Sequence, residues 1–364
     1  MNTISRVLLN LLLLAGVAST QEFGPWSQSV NLGPTINSVA DDMHPAISKD
    51  GLSLYFTSNR LGGAGGLDLW VSQRDSVDSP WQPPQNLTML NTQFDEHAAN
   101  LTMDGHWLFF YSTRPGGCNG GHSAELWASH RHNKRDDLAW EPPINLGCTL
   151  NVPGADEGAP AYWRDEETLY LYFARNFTPT DPNGFQIYLS TCTEELAECN
   201  QQQLWSFPAE YVAELDSPGH RTTKTGIRQR DGLEMIVTSN RTGTTGALDL
   251  WVTTRASAHH PWQIPVNLNL DNQDKCLLVE IDPGSCPSVN TTANDGAAAL
   301  SWDGKTMIFY SSRSGGMGGN DLYISTRKRL HDEDDDSRSG RGRFEEADRT
   351  DAFGSGRATD DGKR

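Results

Sequence analysis

The chain predicts an all-β fold, a single five-bladed β-propeller whose ring is closed by the N-terminal strand completing the last blade. Three observations predict it. A unit of strand, Asp-Gly turn and strand, first met at Ser48-Lys49-Asp50-Gly51 and Leu52 to Ser58, occurs five times, with Asp165-Glu166 in place of Asp-Gly in the third copy. An arginine stands ten residues beyond the turn aspartate in every copy. The tryptophan-bearing strand that should end the fifth copy is missing there and stands at the start of the chain instead. A ring of four-stranded blades closed in this way leaves no free sheet edge between its ends.

The turn aspartates are Asp50, Asp104, Asp165, Asp231 and Asp303, and the arginines are Arg60, Arg114, Arg175, Arg241 and Arg313. Between them lie apolar or alternating runs that read as strands: Leu52 to Ser58, Trp107 to Ser112, Thr168 to Phe173, Glu234 to Ser239 and Thr306 to Ser311. Glycine-rich loops follow, and then Asp68-Leu69-Trp70, Glu125-Leu126-Trp127, Asp249-Leu250-Trp251 and Asp321-Leu322-Tyr323. Blade three carries Phe185-Gln186-Ile187-Tyr188 in their place. No helix pattern follows the glycine runs, which argues against a phosphate cradle. Asp68, Glu125, Asp249 and Asp321 are expected to brace the blade through an arginine or a turn, since unpaired buried charge is unfavourable. The closing strand reads Trp81 to Leu87, Trp140 to Leu146 and Trp262 to Leu268, loosely Trp205, and Pro25 to Leu32 for the displaced copy.

Outside the ring, Arg6 precedes an apolar run from Val7 to Val17 and then small residues, the order of a cleavable signal peptide over 1–20. The propeller is assigned to 21–329. From 330 to 364 an acidic and then Gly/Arg-rich tail is too polar to fold and is expected to be disordered. Six cysteines in an exported chain point to disulfides, with 15 pairings open. Cys192 with Cys199 and Cys276 with Cys286 could staple local loops, which would leave Cys118 with Cys148. Of five glycosylation sequons, those at Asn176 and Asn290 fall in divergent loops and are the better glycan candidates.

A formal charge of −18 excludes a nucleic-acid partner, and no stable membrane insertion is expected once the signal is cleaved. In a propeller the innermost strands line a channel. Eight residues before the turn aspartates stand Asp42, Glu96, Glu157, Thr223 and Asp295, so four carboxylates are expected at one mouth. His44 and His97 lie beside them, and blade four answers with His220, Arg221, Lys224 and Arg228. Asp42, His44, Glu96, His97, Glu157, His220, Arg221, Lys224 and Asp295 are therefore the candidate ligand-binding set. No metal site is assigned and no cofactor is called for, calcium being the one cation a ring of acids could hold.

The Ser-x-Asp-Gly turns (Ser48, Ser301), the Ser-x-Arg strand ends (Ser58, Ser112, Ser239, Ser311), the Gly-Gly loops and the Asp-Leu-Trp/Tyr strands resemble the WD40-like repeat of TolB-type propellers, over about Asp41 to Arg327. That resemblance implies binding or scaffolding more often than catalysis. No Gly-x-Ser-x-Gly or His-Glu-x-x-His motif is present. The expectation is thus a secreted or periplasmic, monomeric, non-catalytic binding or scaffold propeller, recognising a glycan, peptide or protein at the channel mouth or loops. The alternative is a carbohydrate-active hydrolase or lyase in which two of Asp42, Glu96, Glu157 and Asp295 act as acid and base.

Overall fold

The computed structural model describes residues 23–118, 123–178 and 183–330. The expected signal peptide over 1–20 and, apart from Leu330, the expected disordered tail over 330–364 lie outside the described residues. Within them the chain forms five four-stranded antiparallel sheets. Blade one is Asp42–Ile47, Ser53–Ser58, Asp68–Gln73 and Gln85–Asn86. Blade two is Glu96–Leu101, Trp107–Ser112, Glu125–His130 and Ile144–Asn145. Blade three is Asp156–Arg164, Leu169–Asn176, Gln186–Cys192 and Glu210–Tyr211. Blade four is Thr222–Ile227, Glu234–Ser239, Asp249–Thr254 and Val266–Asn267. Blade five is Asp295–Leu300, Thr306–Ser311 and Asp321–Thr326, and its fourth strand is Val30–Asn31 from the start of the chain.

The first strand of each blade neighbours the first strand of the next, and that of blade five returns to blade one, which makes a closed ring of inner strands. Val30 pairs with Ile324 and Asn31 with Tyr323. Trp26, fully buried, is held from a third direction: its amide donates to Asn272 Oδ1 at 2.5 Å and its carbonyl accepts from Asn272 Nδ2 at 3.1 Å. Asn272 sits on the helix Leu268–Leu278, which the Cys276–Cys286 disulfide ties to the following loop. The other bridges are Cys192–Cys199 and Cys118–Cys148, the pairing that local stapling leaves.

The Asp-Gly hairpins form because the aspartate accepts from the residues around it while glycine takes a left-handed turn. Asp50 Oδ1 accepts from Ser48 Oγ and Leu52 N, and Gly51 has φ of 73°. Apolar strand faces then meet in five clusters, one for each junction between neighbouring blades. The repeated tryptophans lie at these junctions under arginines: Arg131 over Trp140 at 4.4 Å, Arg255 over Trp262 at 4.3 Å and Arg327 over Trp26 at 4.2 Å. Asn37, Asn91, Asn151 and Asn290 each clamp both backbone groups of Leu322, Leu69, Leu126 and Leu250 respectively. Asn290 is therefore no glycan acceptor, since it is buried with both amide atoms engaged, and Asn176 is buried as well.

Candidate functional site

A backbone irregularity decides which side chains of the inner strands reach the channel cavity. In blades one, two and five the inner strand bulges after its second residue, and in blade three after its third. There His44, Ala98, Ala159 and Ala297 adopt φ of 50 to 53°. Positive φ is unfavourable for residues with a Cβ, yet the bulge frees amides that a neighbouring blade satisfies. Ala98 N donates to Thr57 Oγ1 at 3.0 Å and Ala297 N to Thr238 Oγ1 at 2.8 Å. In blade four the slip comes earlier, between Thr222 and Lys224, so Lys224 resumes pairing opposite Thr238.

Small residues at two of these positions, Ala159 and Ala297, help leave a cavity of about 270 Å³, lined among others by His44, Tyr111, Glu157, Arg221, Lys224 and Tyr310. Its polar groups are under-partnered. Glu157 Oε2, Lys224 Nζ, His44 Nδ1 and Arg221 Nε have no hydrogen-bond partner among the described residues. Burial pushes the Glu157 carboxyl up to about 7, against the opposing pull of Arg175. Burial likewise brings the Lys224 ammonium down to about 7. His44 is held well below the usual imidazole range, first by burial and then by the charge of Lys224. Behind it His97 lies parallel to the Tyr111 ring at 4.7 Å, and burial lowers its pKa to about 4. Tyr310 meets His44 edge-on at 5.8 Å.

Glu157 differs from its counterparts for a reason written in the chain. Four residues before each carboxylate stand Ser38, Thr92 and Thr291, whose amides and hydroxyls both donate to Asp42, Glu96 and Asp295. Blade three has Pro153 there, which offers neither donor. Its shorter turn also sets Arg175 directly opposite Glu157, where the other three blades have Ser58, Ser112 and Ser311. One carboxylate oxygen is consequently left to the cavity.

The expected ring of four carboxylates at the mouth is not what forms. Asp42, Glu96 and Asp295 are fully buried and paired with Arg60, Arg114 (3.1 Å) and Arg313 (2.6 Å). They hold blades together, because a repeated acid beside a repeated arginine satisfies itself. The arginines thus pair with the upstream acids and not with Asp68 and its equivalents, which cap the glycine loops: Asp68 accepts from Ala64 N at 2.8 Å. His220 lies on an exposed turn with Nδ1 against the Pro218 carbonyl, away from the cavity lining. Arg228 is engaged by Asp231 and Glu234. In blade four the residue opposite the strand-end serine is Thr222, one before Thr223, since that turn is one residue longer. His44, Glu157, Arg221 and Lys224 do come together. Tyr111 and Tyr310 join them without a signal of their own at the level of single residues, although they precede Ser112 and Ser311 at the position that Thr57 and Thr238 hold in blades one and four.

A larger hollow of about 670 Å³ lies at the Asp-Gly turns of blades one and two. Its central charges are already answered, Asp137 by Arg131, Ser53 and Tyr55, so it lacks free chemistry. The donor set best suited to a metal ion is His130, His132 and Glu141, with ligand atoms within 4.8 Å of one another. It stands at the opposite end of blade two from Glu96.

No family model matches the chain, and no curated protein does. Solved structures do. A thermostable family-43 glycoside hydrolase superposes with a TM-score of 0.51 at 12% identity, over 81% of this chain and 91% of that one. A complex of BT0996 with RGII gives 0.55 at 12%, over 86% and 94%. A further glycoside hydrolase gives 0.51 at 12%, over 85% and 93%. At these identities the likeness is one of fold. It corrects the resemblance to the WD40-like, TolB-type repeat: the turn, loop and strand signatures report blade construction, and the matching architectures are glycoside hydrolases. The reading as a non-catalytic binding or scaffold propeller, which rested on the repeat accounting for most polar residues and on the absence of a catalytic motif, is corrected with it. Among the described residues no helix is long and apolar enough to cross a membrane.

Proposed function

We propose that the chain is an exported carbohydrate-active hydrolase that takes a sugar unit into the channel cavity, with Glu157 protonating the departing glycosidic oxygen. The observation that carries this reading is the Glu157 carboxyl, which faces the cavity through an unpartnered oxygen and has its pKa pushed up to about 7. A general acid must hold its proton at the working pH, and a carboxyl in an apolar, buried setting does so. Glu157 is the one carboxylate lining the cavity among the described residues, so the paired-carboxylate layouts of glycoside hydrolysis are not available. His44, with Nδ1 unpartnered at the cavity, is placed to accept a hydrogen bond from the attacking water and orient it, its depressed pKa making it a weak base. Tyr111 and Tyr310 supply ring surface for the sugar. The shared architecture with glycoside hydrolases and the three disulfides support a sugar substrate and an oxidising destination.

The test is product analysis by anion-exchange chromatography after incubation with arabinan, xylan, galactan and pectic polysaccharides between pH 5 and 8. Product release that falls at least about 100-fold in Glu157→Gln, with an unchanged melting temperature, is expected. No product from any substrate across that range would overturn the proposal.

A further inference from the structure

We propose that the cavity selects a sugar bearing a carboxylate, a uronic acid unit, and that Lys224 and Arg221 are the pair that receives it. The inference deepens the reading of the cavity as a sugar site and rests on it.

Eight arginines and lysines are buried among the described residues: Arg131, Arg175, Lys224, Arg228, Arg241, Arg255, Lys275 and Arg327. Seven have an oxygen partner. Arg131 has Asp137, Arg175 has Glu157, Arg228 and Arg327 share Glu234, and Lys275 has Asp271. Arg241 and Arg255 reach carbonyls, of Leu215 and Gly232. Lys224 alone has none, although it is only 4% exposed. In a chain of net charge −18 acids are plentiful, yet none has been placed against this ammonium. Buried cations are kept when a partner answers them, and here the open side of Lys224 is the cavity.

Arg221 lies three residues earlier and lines the same cavity with Nε unpartnered and no ion pair among the described residues. A planar guanidinium accepts a carboxylate through two parallel hydrogen bonds, and an ammonium adds a point charge. The rest of the lining suits the remainder of a sugar ring: Tyr111 and Tyr310 as faces, Thr223 and Thr238 as hydroxyl partners, and Gly158 and Ala159 as space.

The charged and titratable groups facing Lys224 are His44, Glu157, Arg221, Tyr111 and Tyr310, with His97 behind His44. His44, His97 and the tyrosines are neutral between pH 6 and 8, so Lys224 and Glu157, each near 7, together set the pH dependence of carboxylate binding. Burial alone brings its free pKa to about 7. Loss of the ammonium and ionisation of Glu157 both disfavour a bound carboxylate, so affinity is level well below pH 7 and falls above it.

Calorimetry on the purified protein with D-galacturonate and D-glucuronate, against galactose, glucose and glucose 6-phosphate, tests this. The expected result is a uronate at least about tenfold tighter than its neutral counterpart, in line with one charge-assisted contact. That preference should vanish in Lys224→Met, which removes a buried charge and so folds at least as well, and should shrink in Arg221→Gln. Equal affinity for glucuronate and glucose, no uronate binding at all, tighter binding of the phosphate, or an unchanged uronate affinity in Lys224→Met would each overturn it. The two readings separate: hydrolysis of neutral glycans with no uronate preference overturns this inference and leaves the hydrolase standing. Uronate binding without hydrolysis of any glycan does the reverse.

Discussion

Arg175 holds one oxygen of Glu157 and leaves the other to the cavity: its Nε donates to Oε1 at 2.8 Å, while Oε2 has no partner among the described residues. Asp42 and Asp295 share the same arginine contact, but serine or threonine donors occupy their second oxygen. The difference between a structural acid and a reactive one thus comes down to two missing donors.

Restoring those donors should quench the acid. Pro153→Thr places a hydroxyl and an amide four residues before Glu157, as in the other blades, at an exposed position. Hydrogen bonds to the ionised form lower a carboxyl pKa. The alkaline limb of the pH–rate profile, set by Glu157 at about 7, should move at least about one unit toward acid. An unmoved limb would remove Glu157 from the reaction.

Lys224 should be a site of instability that ligand relieves. Its pKa is about 7 in the folded chain and 10.5 unfolded, so the folded state binds fewer protons between those values and stability rises with pH across that window. Below pH 7 the full penalty is present. Lys224→Met should therefore stabilise at pH 6 by roughly 3 to 5 kcal/mol, and by progressively less toward pH 10. Thermal denaturation over that range, compared between the two proteins, checks it.

Glu234 should have the opposite signature. Set against Arg327 at 2.5 Å and Arg228 at 3.2 Å, it is held down to about 2 against an ordinary 4.5, burial opposing and the Arg327 charge prevailing. Its contribution is present above pH 4.5 and is lost as pH falls toward 2. Glu234→Gln should lower stability at pH 7 by roughly 3 kcal/mol and flatten that acid limb, as read from urea unfolding at pH 3 and pH 7.

Asp295 should matter to the fold and not to the chemistry. Asp295→Ala takes the carboxylate away from Arg313 and from the Thr291 hydroxyl, and breaking a buried pair is destabilising by about 3 to 5 kcal/mol. Guanidinium unfolding measures the loss. Product release per folded molecule should stay within about twofold, because Asp295 does not line the cavity.

The five blades and their closure were legible because hairpin turns and strand ends are local chemistry repeated at fixed spacing. Asp50-Gly51 encodes its turn without help from elsewhere. The cavity was harder to see. His44, Glu157, Arg221 and Lys224 were within reach of the sequence, but Asp42, Glu96 and Asp295 looked equivalent to Glu157 because offset from a turn says nothing about who donates to a carboxylate. Pro153 was the visible sign. Thr222 was missed by one residue because the turn of blade four is longer, and no pattern marks a bulge that slips by one position. The signatures that suggested a TolB-type repeat are the requirements of any four-stranded blade, and so they could not separate binding propellers from hydrolytic ones.

The closing strand gives the molecule a way to register its own completeness. Val30 leaves the ribosome early and waits for Ile324, almost three hundred residues later, before blade five has an outer edge. A chain released short of that point keeps an open sheet edge, a species open to proteases and to pairing with its neighbours. Only the closed ring hides that edge, so a truncated chain is marked by its own unpaired strand.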